Sequence, residues 1–305
     1  MTDIRLGTLS AKIKQYVREV GGSFSSRQID EEIDIRTPQG KSLRRVILKE
    51  LCDAGIIERV KGAIGVYRPL ELELKEFDWQ HADTDNVVSL RFPFELEKYV
   101  KIYPKSIICL AGGKNEGKTA WLYDFTLKNM FHPLGVDLYN SETGREQMKE
   151  RMQNFKVNIP NPAPFRTFER YDNFADVIDK DRISVIDYLD LNSEVYLIGD
   201  EIDKVFRKLD RGIAVIGLQK PPPTTVYVKG VKKLVYRDLA YGSGFTAKRA
   251  VLYISLDNNV LKLVVAKTPL NPKVNPTNMM WVFWLKNGAE FIDIQPYEEQ
   301  GGLEI

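Results

Sequence analysis

Gly112, four further residues and then Gly117-Lys118-Thr119 have the spacing with which a backbone can wrap around a polyphosphate. Glycines let the chain curl until successive N–H groups point at phosphate oxygens, and the N-terminus of a following helix adds a favourable dipole. In that arrangement Lys118 reaches the β and γ phosphates and the Thr119 hydroxyl ligates Mg²⁺. Gly113, Lys114, Asn115 and Glu116 complete the loop, of which Gly113, Lys114 and Glu116 are the less diagnostic members. The context agrees: a strand-like run, Ser106 to Leu110, precedes the loop, and a helix-like run from Lys118 to Met130 follows it. The expected ligands are ATP and Mg²⁺.

Hydrolysis of a bound triphosphate also needs a carboxylate for magnesium and one that orients the attacking water. Asp187 closes the apolar run Ile183 to Ile186, where a strand-end acid can face the phosphates. A strand-end Asp can equally cap the next helix, and Asp190, closer to Asn192 and Ser193, fits that capping role better. Glu142 follows the strand-like Val136 to Tyr139, and Gln219 ends the apolar Ile213 to Leu218. Each is ordinary alone, since a glutamate after a strand commonly serves a helix N-terminus.

Stepping outward, residues 93–300 alternate strand-like and helix-like segments. Helices are expected at Lys118 to Met130, Arg145 to Gln153 and Glu194 to Leu209. Strands are expected at Ser106, Val136, Phe165, Ile183, Ile213, Ala250, Leu261 and Met280. That order predicts an α/β fold, a mostly parallel sheet with helices on both faces, finished by antiparallel strands. Residues 1–70 predict a separate small module. A helix is expected after Ser10, a second is capped by Ser25 or Ser26, and a turn at Thr37-Pro38-Gln39-Gly40 leads to a third from Ser42 to Ala54. The third sets Leu43, Val46, Ile47 and Leu51 against a basic side of Lys41, Arg45 and Lys49. A hairpin follows over Ile56 to Val60 and Ile64 to Tyr67. The stretch 71–92, rich in Asp and Glu, predicts a linker.

The order helix, helix, helix, hairpin resembles a winged helix-turn-helix. That family lays its third helix in the major groove of duplex DNA, which makes Lys41, Arg44, Arg45 and Lys49, with Lys61 at the wing, the expected phosphate contacts. The first 70 residues hold 13 basic and 9 acidic side chains, a modest bias of the right sign.

In the second module, residues 136–144 together with Met148 to Met152 resemble the Ser-x-Glu-Met block of DnaB-type replicative helicases, and residues 185–191 resemble that family's Walker B stretch. The likeness spans roughly residues 90–290. It implies a RecA-like ATPase in which Glu142 activates water, Asp187 holds the metal and Gln219 reports the γ-phosphate state. The tract 220–248 interleaves Lys229, Lys232, Lys233 and Arg237 with Tyr227, Tyr236, Tyr241 and Phe245, a mixture that suits single-stranded nucleic acid. The resemblance further implies a homo-oligomer, in the family's form a hexameric ring, and places Lys267 as a finger reaching the neighbouring subunit's site. Pro269 stands where the family has the finger arginine, which leaves Lys273 as an alternative finger or hydrolysis slow. Two roles are therefore open: a DNA motor of phage or mobile-element replication, or an ATP-responsive DNA-binding regulator or helicase loader that hydrolyses slowly.

Bulk composition sets outer limits. The 305 residues are 43% apolar and 28% charged, with a net charge of +2, which excludes a disordered chain and a generally polycationic one. Cys52 and Cys109 are the only cysteines, and His81 and His132 the only histidines. Neither a disulfide framework, a cysteine zinc site nor a histidine-based triad fits that inventory. With no secretory or membrane-spanning run, the expected location is the cytoplasm.

Overall fold

The computed structural model describes residues 6–20, 22–70, 76–189, 197–228 and 231–297. The chain divides into two compact units, Met1–Ala82 and Asp83–Ile305.

The first unit contains helices α1 (Leu6–Glu19), α2 (Ser26–Glu32) and α3 (Pro38–Asp53) and a sheet in the order β1 (Phe24–Ser25), β3 (Val66–Pro69), β2 (Ile57–Arg59). Leu9, Ile13 and Val17 of α1 recur at helical spacing and pack with Ile29, Ile47, Leu48 and Leu51 around Phe24 and Tyr67. Ser25 caps α2 in a reciprocal box with Gln28. Ser10, expected as a cap, is inside α1. The expected turn at Thr37 to Gly40 is instead the start of α3: the Thr37 hydroxyl accepts from Gly40 N–H at 3.1 Å, and Pro38 occupies the first helical position, where its missing N–H costs nothing. Val46, placed on the apolar side from sequence, is 49% exposed.

The second unit is built on a nine-stranded sheet. Its strands are β4 (Ser106–Gly112), β5 (Val136–Asn140), β6 (Arg166–Glu169), β7 (Ile183–Leu189), β8 (Ile213–Gln219), β11 (Ala250–Asp257), β12 (Val260–Ala266), β13 (Met280–Lys286) and β14 (Glu290–Tyr297). The order is β14-β13-β12-β11-β4-β8-β7-β5-β6. The six strands from β11 to β6 run parallel, and β12 to β14 are added antiparallel. Strand β4 is buried on both faces. Ile108 and Leu110 pack with Trp121, Leu122 and Phe125 of α4 (Lys118–Lys128). Ile107, Cys109 and Ala111 pack with Ile198, Ile202 and Val205 of α7 (Leu197–Lys208). Period-2 side-chain alternation thus feeds two cores at once, which is why the strand reads as an uninterrupted apolar run. Burial pushes the Cys109 thiol up to about 12, so it is an inert core residue.

Helices α5 (Arg145–Gln153), α6 (Phe174–Val177) and α8 (Gly244–Ala247) complete the unit, together with a separate antiparallel ribbon of β9 (Thr224–Val228) and β10 (Val231–Val235). The linker expected over 71–92 ends earlier than its charge suggests. Val88, Leu90 and Phe92 are buried in the core beside α4, and their alternation carries the chain into the second unit. Among the described residues no helix is long and apolar enough to cross a membrane.

Candidate nucleotide site

Parallel pairing brings the carboxyl ends of β4, β5, β7 and β8 to one edge, with Gly112 opposite Gln219 and Asn140 opposite Asp187. Crevices beyond such strand ends are where open α/β sheets bind ligands. The loop after β4 curls there through Gly117, whose φ of +93° is readily adopted only by glycine. A side chain at Gly112 would place its Cβ 2.8 Å from Lys118 Cγ, so the loop closes only around a bare backbone.

Lys118 is buried, and its ammonium donates to the carbonyls of Gly112 (2.9 Å) and Gly113 (2.7 Å) and to Gln219 Oε1 (2.9 Å). Burial draws its pKa downward, opposed by nearby carboxylates of which Glu142 is the strongest. The Thr119 hydroxyl lies 3.1 Å from Glu142 Oε2 and 3.3 Å from Asp187 Oδ1. Asp187 is wholly buried and its Oδ2 has no hydrogen-bond partner. Burial, with the Glu142 charge adding to it, pushes this carboxyl up to about 7. An orphaned buried carboxylate oxygen beside a hydroxyl and a second carboxylate is an oxygen donor set that suits a hard divalent cation such as Mg²⁺.

The loop carrying Glu142 is shaped by Asn140. Its Oδ1 accepts from the N–H groups of Glu142 (3.3 Å) and Thr143 (3.2 Å), and its amide donates to the Thr143 carbonyl. Ser141 ties the same loop to β7, accepting from Tyr188 N–H at 3.0 Å and donating to the Tyr188 carbonyl at 2.8 Å. The Asp187–Tyr188 peptide is cis. Around these groups lies a cavity of 490 Å³ lined by Lys118, Thr119, Glu142, Arg151, Tyr188 and Gln219, with Leu285, Asn287 and Gly288 on a further wall. Asn140, Arg151 and the β13–β14 turn were not foreseen from sequence. A short polar residue at a strand end is the local signal for an Asn140-type turn, whereas for Arg151 the signal is Met148 and Met152, which mark the inward side of its helix at i, i+4 spacing.

Of the loop residues, Lys114, Asn115, Gly117, Lys118 and Thr119 line the cavity, while Glu116 turns aside to accept from Asn258 N–H at 2.7 Å. Asp190 lies outside the described residues, as does Lys229. Lys41, Arg45, Lys49 and Lys61 are exposed. Arg44 is a correction: it is 6% exposed, ion-paired with Asp30 and donating to the Ser26 carbonyl at 2.8 Å, so it joins α3 to α2 and has no free face for a phosphate. Lys232 and Lys233 are exposed on β10, paired across the ribbon with Tyr227 and Val226, hence on opposite faces. Lys267 is exposed just past the end of β12. Leu252 pairs with both Ala266 and Ile108, which sets Lys267 at the far end of the sheet from the nucleotide loop of its own chain.

No protein-family model matches this chain, and neither does any curated protein. Among solved structures it is similar to the KaiC-like protein PH0186 from Pyrococcus horikoshii OT3, at 16% identity over 70% of this chain and 99% of that one, with a TM-score of 0.49. It is also similar to the ATPase domain of G40P, at 15% identity over 70% of this chain and 94% of that one, with a TM-score of 0.45. The second unit has the RecA-like α/β fold on its own strand order. The loop strand β4 and the Asp187 strand β7 flank β8, and antiparallel strands extend the sheet beyond β11.

Proposed function

We propose that the chain is a Mg²⁺-dependent ATPase of the RecA/DnaB class that acts on DNA, as a motor or helicase-like factor in phage or mobile-element replication. The observation that carries this reading is the convergence of Lys118, Thr119, Glu142 and Gln219 on one cavity, with Asp187 Oδ1 3.3 Å from the Thr119 hydroxyl. Thr119 and Asp187 would hold the metal, which when bound neutralises charge on the β and γ phosphates. Lys118 exchanges the Gly112 and Gly113 carbonyls for phosphate oxygens, and Glu142 orients the attacking water. Gln219, bonded to Lys118, senses whether the terminal phosphate is present. Arg151 supplies positive charge from its own subunit to the developing transition state. Lys118→Ala should abolish turnover; an unchanged ATPase rate in that variant sinks the assignment.

The first unit is proposed to be a winged helix that binds duplex DNA through Lys41, Arg45 and Lys49, and the β9–β10 ribbon to engage single strands through Lys232, Lys233 and Tyr227. A second reading is favoured by Pro269 in place of a finger arginine: an ATP-responsive DNA-binding regulator or helicase loader with slow hydrolysis. Strong stimulation of hydrolysis by single-stranded DNA supports the motor. Nucleotide-dependent duplex binding without turnover supports the regulator.

A further inference from the structure

Lys220, immediately after Gln219, is charged yet only 2% exposed. Its main chain brackets the nucleotide loop. The N–H donates to the Gly112 carbonyl at 3.0 Å, the same oxygen that receives Lys118, and its carbonyl accepts from Gln219 Nε2 at 3.3 Å. Its ammonium runs the other way, donating to Ser255 Oγ at 2.7 Å and forming an ion pair with Asp257, both on β11. Beyond Asp257, Asn258 N–H donates to Glu116 of the loop at 2.7 Å. Two strand ends, β8 and β11, are thereby tied to the loop and to each other.

A buried ion pair is a poor way to gain stability, because desolvation cancels much of the attraction and an apolar pair of similar volume does as well. What the pair adds is direction: it fixes the backbone of residue 220, and so the reach of the Gln219 amide, to within a hydrogen bond of Lys118. The three prolines that follow, Pro221 to Pro223, favour an extended, semi-rigid backbone, and they lead straight into β9.

We propose that the Lys220–Asp257 pair is a positioning device that holds Gln219 against Lys118. This rests on the reading of the cavity as an ATPase site. The test compares wild type, Lys220→Met and the double variant Lys220→Met/Asp257→Leu in melting temperature, kcat and KM for ATP with saturating Mg²⁺. Lys220→Met leaves the half-buried Asp257 without its ammonium partner, so its melting temperature falls; the double variant recovers it. Turnover is expected to stay at least about tenfold below wild type in both, with KM for ATP within about twofold, as for a misplaced catalytic group. A double variant that regains wild-type kcat along with its stability overturns the positioning role and leaves the ATPase reading intact. A wild type with no Mg²⁺-dependent turnover overturns the ATPase reading and the positioning role together.

Discussion

Asp187 shows what the nucleotide site costs the resting protein. Its carboxyl is raised from an ordinary value near 3.8 to about 7 by burial and by Glu142, so the folded state prefers it protonated. The stabilising contribution is therefore complete below about pH 4 and lost as pH rises through about 7. Asp187→Asn removes the buried charge. In EDTA at pH 8 it should raise the melting temperature by roughly 5 °C, since each kcal/mol is worth a few degrees in a domain of this size. The gap to wild type should shrink at pH 5. The same variant should lose Mg²⁺-dependent turnover. Equal melting temperatures at both pH values would remove the ground for treating Asp187 as a charge awaiting a cation. Arg151 makes a second case at this scale. Arg151→Ala should lower kcat by about 100-fold, the size of loss seen for one preorganised electrostatic contact. Because the residue lines its own chain's cavity, the loss should not depend on protein concentration.

At the scale of elements, α3 is the part of the first unit with a clear outward face. Lys41, Arg45 and Lys49 are exposed there while Arg44 turns inward to Asp30. The triple variant Lys41→Ala/Arg45→Ala/Lys49→Ala should weaken duplex binding and flatten the dependence of log K on log salt by about 3. Arg44→Ala should instead lower stability, because it leaves Asp30 unpaired. Titration of binding against salt and a thermal melt separate the two. Much of the second unit was legible because β4, β5, β7 and β8 are buried on both faces and so read as apolar runs, and because Arg145 to Gln153 keeps its helical bounds. Asp187 was singled out by its apolar run, whereas Glu142 and Gln219, ordinary alone, were singled out only by the resemblance to DnaB-type helicases. Less legible were elements whose stability comes from partners far along the chain. Strand β10 and Thr224, Thr225 and Tyr227 of β9 are exposed, so no apolar alternation marks the ribbon within the basic and aromatic tract 220–248. Strand β14 shows through only in its pairing with β13. Val88, Leu90 and Phe92 were hidden by the acidic residues before them. Pro38 read as a breaker although at the first position of a helix it is an initiator.

At the scale of the whole molecule, the position of Lys267 at the far end of its own sheet makes assembly testable. If Lys267 completes a neighbour's site, Lys267→Ala subunits carry an intact site but no finger, and Lys118→Ala subunits carry the finger but no working site. Mixing the two should give more ATPase activity than the sum of the separate proteins, and a rate equal to the sum excludes the trans role. Mass in solution with ATP, Mg²⁺ and single-stranded DNA should rise to that of a closed oligomer; a monomer under those conditions speaks for the regulator. Beneath both stands the claim that the cavity around Lys118 hydrolyses ATP with water oriented by Glu142. Steady-state phosphate release by wild type and Glu142→Gln, with and without Mg²⁺, tests it most directly. The expected result is Mg²⁺-dependent turnover in wild type that falls by about 100-fold or more in the variant while ATP binding persists, as for loss of a general base. Turnover that is absent from wild type, or equal in the variant, contradicts it.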